Sequence, residues 1–138
     1  MTHLNKIMML LASVGVLDSG YLLFARLSNT DVVCVFAHGC DTVAKSPYSI
    51  LLGIPLSLLG LIFYVIILML LIIQHKNFFP AWKEYIQPTL LFVTTLGFLS
   101  SVYFTYLQGW VIGAWCTYCI ISAITSTALF LMAVVKNK

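Results

Sequence analysis

Charge is what this chain has least of. Of its 138 residues only 8% are charged, and four of those are acidic. Soluble domains carry about 25% charged residues, so this chain lacks the polar surface that water demands. No charge stands between Lys45 and Lys76, and residues 85–135 carry none. The net charge of +3 is small. Lys6, Arg26, Lys45, Lys76, Lys83, Lys136 and Lys138 never form a basic run, which excludes a nucleic-acid footprint. Proline, linker-like segments and internal repeats are also scarce, so one domain over 1–138 is expected.

What is there instead is apolar: 62% of the residues, with a mean hydropathy of +1.05. The bilayer is the expected solvent. A spanning helix needs about 20 mostly apolar residues, and four stretches qualify, at about 7–27, 50–73, 89–107 and 114–135. The charge-free run 85–135 is too long for one crossing, and Gln108-Gly109-Trp110 with Gly113 supplies its break. The first span resembles a signal peptide with Lys6 as its basic region. Its long core and the absence of a small-residue cleavage site before Arg26 predict that it is retained. The fold class expected is an all-α membrane protein, a four-transmembrane-helix bundle.

Positive charge in short loops marks the cytoplasmic side. Placing both termini there collects Lys6, Lys76, Lys83, Lys136 and Lys138 inside and leaves Arg26 and Lys45 outside. The outer face then carries the 28–49 loop and the turn near 108–113. Every cysteine of the chain falls on that face: Cys34 and Cys40 in the loop, Cys116 and Cys119 where the fourth span starts.

Three chemistries suit this arrangement. Two structural disulfides would staple the loops in an oxidising compartment. Four cysteines with His38 would suit a zinc centre in a metal-binding or metal-transport membrane protein, although the six-residue step from Cys34 to Cys40 is loose for that purpose. Redox exchange is the third, and Cys116-Thr-Tyr-Cys119 favours it. Residues three apart on a helix share a face, and so short a disulfide loop stabilises little. A helix N-terminus favours thiolate, the form that attacks disulfides.

With these residues the chain resembles the vitamin K epoxide reductase family, membrane enzymes that couple disulfide formation to quinone reduction. The loop cysteines are followed by Ser46-Pro47, then by Gly53-Ile-Pro55-Leu-Ser-Leu-Leu-Gly60 as in bacterial members, and Cys-X-X-Cys opens the last span. The resemblance implies that Cys34 exchanges with a thioredoxin-like partner, that Cys40 bridges transiently to Cys116, and that Cys119 faces a quinone of ubiquinone or menaquinone type. It implies a hydroxyl near the site at Ser46. A quinone pocket is expected among the outer halves of the spans, with Leu56, Phe63, Trp110, Trp115 and Tyr118 as candidate lining, although Trp110 and Trp115 suit an interfacial aromatic belt better. Vertebrate members carry asparagine and tyrosine where Leu56 and Ala123 stand here. The expected chemistry is therefore quinone reduction by thiolate. The chain is expected to be a stand-alone bacterial-type homologue in the inner membrane, its redox partner a separate protein.

Asp18 lies inside the first span, where a carboxyl is costly. Two roles suit it: relaying a proton to reduced quinone, or sitting neutral and hydrogen-bonded near Ser13, Ser19 and Tyr21. His38 suits either tuning of the loop cysteines or a solvated position. Gly53, Gly60 and Gly97 are expected at close helix contacts, Pro80 and Pro88 at the edges of the cytoplasmic loop, and Pro55 at a kink in the second span.

Overall fold

Inside lipid a backbone must satisfy its own N–H and C=O groups, and long apolar runs do so by coiling into helices. The computed structural model describes residues 2–28, 50–51, 53–76, 80–113 and 117–137. Four long helices dominate them: α1 (Thr2–Leu27), α2 (Leu56–Lys76), α3 (Lys83–Tyr106) and α4 (Thr117–Asn137). Each is long and apolar enough to cross a bilayer, the stretches being His3–Leu27, Leu56–Lys76, Glu84–Val111 and Thr117–Lys136. The chain is thus a four-span membrane protein. The loop that carries Cys34 and Cys40 lies outside the described residues.

Three boundaries differ from the sequence reading, each for a local reason. The second helix starts at Leu56, because Ile50–Leu51 (β1) pairs antiparallel with Ile54–Pro55 (β2) in a short hairpin. Gly53 turns that hairpin with φ 81°, a left-handed conformation that glycine adopts without strain. Gly53 is therefore a turn glycine, and Pro55 precedes the helix and does not kink it. The third helix begins before Pro88, directly after a 3-10 turn at Pro80–Trp82. Pro88 is the sixth residue of that helix, where it removes one ladder bond, and the helix continues past it to Tyr106. At its far end α3 continues as a π-helical turn, Leu107–Ile112, and stops at Gly113 with φ 73°. The break is at Gly113, with Gly109 still helical.

Because lipid is as apolar as leucine, the helices associate by shape and by interior polar groups. The buried side of α1 reads Asn5, Met8, Ala12, Gly15, Asp18, Ser19 and Ala25, while Leu10, Leu17 and Phe24 are exposed. The interior stripe is small or polar and the lipid side is large. Two neighbouring rings on α2 seat on two other helices. A Cβ on Gly15 of α1 would lie 2.3 Å from the Tyr64 ring, and one on Gly97 of α3 would lie 2.2 Å from the Phe63 ring. Gly60 meets Ser19 in the same way, at 3.1 Å. The expectation for Gly60 and Gly97 therefore holds. Between α3 and α4, Phe98 stacks on Phe130 at 4.8 Å and Ser101 Oγ lies 2.5 Å from Ser126 Oγ. Hydroxyls such as Thr94, Thr95 and Thr125 bond carbonyls of their own helices, as polar groups in lipid must.

The antiparallel helices have two ends. One holds the chain termini and is tied by Gln74, which donates to Gln87 at 3.4 Å, by Gln87, which donates to the Ala133 carbonyl at 3.3 Å, and by Lys136, which donates to Gln74. The other end holds the hairpin, the π-helical turn and the start of α4.

Candidate functional site

Cys119 is the third residue of α4, half-buried at the hairpin end. Its place in the first turn follows from Gly113, whose left-handed conformation stops α3 and lets the chain reverse within a few residues. In a first helical turn the backbone N–H groups lack helical acceptors and point at any charge that develops there.

The ring of Tyr118, next along α4, lies 5.2 Å from that of Tyr21 on α1. This contact fixes the level of α4 against α1. Leu56 opens α2 and is half-buried at the same end, directly after the hairpin. The structure thus brings Leu56, Tyr118 and Cys119 to one end of the bundle. Phe63 lies seven residues below Leu56, about 10 Å deeper along the helix. Its ring packs on Gly97 and meets Tyr64 edge-on at 4.9 Å. Trp110 is 76% exposed and stacks on Tyr106 at 5.4 Å, the posture of an interfacial aromatic. Cys34, Cys40, Ser46, Trp115, Cys116 and His38 lie outside the described residues.

Below Cys119 sits a group of polar side chains that the sequence reading did not assemble. Tyr64 is 1% exposed, and its hydroxyl donates to the Ser122 carbonyl at 2.9 Å. The Ser122 hydroxyl lies 2.8 Å from the same oxygen. Tyr64 has one proton to give, so the Ser122 hydroxyl is left to donate to it. Ser126, one turn further along, meets Ser101 of α3. Asp18 is 8% exposed and lies three residues from Gly15, which the Tyr64 ring overlies. Of its sequence neighbours, Ser13 donates to the Met9 carbonyl at 2.8 Å, and Ser19 lies against Gly60. One sequence signal was available. Cys119, Ser122 and Ser126 recur at three and seven, which puts them on one face of a helix.

The chain has recognisable relatives. The profile of the vitamin K epoxide reductase family matches residues 6–134. The chain is also similar to a protein of Arabidopsis thaliana named thiol-disulfide oxidoreductase LTO1, at 30% identity over 122 residues. That similarity covers 86% of this chain and 32% of the plant protein, so the chain spans about a third of the length of this relative. With four membrane spans and a match over nearly its whole length, the chain belongs to the vitamin K epoxide reductase family.

Proposed function

We propose that this protein is a membrane thiol–disulfide oxidoreductase, one that oxidises a thioredoxin-like protein dithiol and delivers the electrons to a membrane quinone. Family membership and the name of the plant relative support the thiol chemistry. The observation that carries the reading is the position of Cys119, in the first turn of a spanning helix with Tyr118 and Leu56 at the same end. An apolar ring fits among half-buried aromatic and aliphatic side chains at the edge of a bilayer. A protein dithiol does not, and needs a surface loop. Cys34 and Cys40 belong to such a loop, and the helical pair belongs to the lipid edge.

In this reading the substrate thiolate attacks the Cys34–Cys40 disulfide. Cys40 then attacks Cys116, and Cys119 leaves as thiolate. The second substrate thiol frees Cys34, which attacks Cys40, re-forms the loop disulfide and releases Cys116 as thiolate. Oxidation of the Cys116/Cys119 dithiol back to its disulfide then releases two electrons, and two protons accompany them. A bound quinone of ubiquinone or menaquinone type supplies the acceptor for both. Leu56 and Tyr118, with Ser46 and Trp115 from the sequence, would hold its ring. The helix ends that carry Lys6, Lys76, Lys83 and Lys136 would face the cytoplasm and the cysteines the outer side of the inner membrane.

The test mixes purified protein with a reduced thioredoxin-like substrate and a quinone, and follows quinone absorbance. Wild type is expected to reduce the quinone, and Cys119→Ala to lose that activity by at least about a hundredfold, since no alternative sulfur stands in its turn. Equal rates for the two proteins would sink the reading.

A further inference from the structure

The polar group beneath Cys119 occupies a single level of the bundle, and three independent contacts fix it there. Tyr21 and Tyr118 meet at 5.2 Å, so α1 and α4 are level at that point. Descending three residues from Tyr21 reaches Asp18, and descending four from Tyr118 reaches Ser122. At about 1.5 Å per residue these are drops of about 4.5 and 6 Å. Helix α2 joins this level at Gly15, which has no side chain and therefore admits the Tyr64 ring. That ring crosses from α2, passes α1 at Gly15 and ends with its hydroxyl on Ser122 of α4. Asp18 lies three residues from Gly15 on the same side of α1, buried, one turn from where the Tyr64 ring crosses the helix. Cys119 stands three residues above Ser122 on the same face of α4, with side chains about 5–6 Å apart at Cβ.

A buried carboxyl at membrane depth is expensive and calls for a use. Helix packing does not require one here, since glycines and rings already join these helices. The hydrogen-bond polarity offers a use. The Ser122 hydroxyl donates to Tyr64 and keeps lone pairs that can accept, and the Tyr64 proton rests on the Ser122 carbonyl. A relay from Cys119 to the carboxyl would use that order, with Tyr64 turning its proton toward Asp18.

We propose that Asp18, Tyr64 and Ser122 form a proton relay for Cys119, which holds a thiol proton on the Asp18 carboxyl until the reduced acceptor takes it. The proposal rests on the quinone-reducing reading above. The balance closes without another reactant. Two S–H bonds break and one S–S bond forms, with two electrons and two protons passing to the quinone as it becomes quinol. One of those protons pauses on Asp18, which ends as it began. The titratable groups around the relay are Tyr64 on α2, Tyr118 and Cys119 on α4 and Tyr21 on α1. The nearest described contribution of α3 is the Ser101 hydroxyl, through Ser126.

The test uses the full chain in lipid nanodiscs, reduced beforehand and mixed with a short-chain quinone in H2O and in D2O. Asp18→Asn is expected to slow quinone reduction by about a hundredfold, the scale of positioned proton transfer, and to abolish the wild-type solvent isotope effect. Asp18→Glu should recover most of the rate, with Tyr64→Phe and Ser122→Ala between the two. Helicity by circular dichroism should be unchanged in all four variants. A wild-type quinone rate in Asp18→Asn overturns the relay. So does a loss shared equally by Asn and Glu and matched by lost helicity, since that marks a structural role. A second arm needs no quinone. The infrared difference spectrum between reduced and oxidised protein should contain a carboxyl band that disappears in Asp18→Asn. If wild type reduces no quinone yet shows that band, the functional reading fails and the coupling of Asp18 to the cysteines stands. If no carboxyl responds to cysteine oxidation, the relay is overturned.

Discussion

The two ends of the bundle are built differently from the same helices. At the termini end, polar side chains from α2, α3 and α4 close on one another: Gln74, Gln87, Lys136 and the Ala133 carbonyl. Beneath them Met8, Ala12, Leu71, Leu90, Leu129 and Ala133 pack without exposure. At the hairpin end Leu56, Tyr118 and Cys119 are only half-buried, and the polar group lies deeper, around Tyr64. Polar groups join helices at both ends, but at the hairpin end they lie inside, one turn below a cysteine. In the proposed function the first end is a seal and the second a working face.

That separation can be broken by substitution. The largest effect is expected from Cys119→Ala, which should abolish quinone reduction while leaving resistance to unfolding in mixed micelles unchanged; an inactive variant that also unfolds early would show the working face to be structural as well. Gly15→Ala comes next. Its new methyl meets the body of a ring that is 1% exposed and hydrogen-bonded at its tip, so a loss of about 1–3 kcal/mol is expected from overpacking. Gly97→Ala should cost less in the same titration, because Phe63 is half-buried and makes the contact with its far edge. Equal losses would mean that Tyr64 can move as freely as Phe63. The smallest effect belongs to the seal. Gln87→Leu should cost about 0.6 kcal/mol, the usual worth of an interhelical hydrogen bond in a membrane, with quinone reduction at the wild-type rate. Activity lost on that substitution would mean that the two ends are coupled.

The four spans were legible because charge is excluded from lipid, and the long gaps between charged residues mark them directly. Their edges were less legible. Pro88 looks like a boundary in the sequence, yet a helix tolerates proline near its start. Gly109 and Gly113 look alike as breakers, and only Gly113 takes the left-handed conformation that ends the helix. The inner polar group was hardly legible. In a soluble protein apolar periodicity points to the core, but here the lipid side is apolar as well, so the pattern does not distinguish inside from outside. Nothing in the sequence around Tyr64 announces that its hydroxyl reaches Ser122. That contact depends on Gly15, 49 positions away in the chain. Tyr118 and Cys119 are legible because the fourth span is expected to start near 114, whereas the place of Leu56 at a helix start follows from the hairpin that the sequence does not announce.

The turn at Gly113 has a kinetic consequence. Three residues separate it from Thr117, so the start of α4 is held within about 14 Å of the end of α3. Cys119 is therefore a fixed post that cannot travel to meet a partner. Cys34 and Cys40 belong to a connection whose two ends, Ser28 and Ile50, are anchored at the same end of the bundle. In the proposed relay their encounter with the post would be intramolecular, at an effective concentration that dilution of the protein leaves unchanged. The internal transfer should therefore be first order at any protein density in the membrane. Only the meeting with the soluble dithiol and the meeting with quinone should respond to how much of each is present.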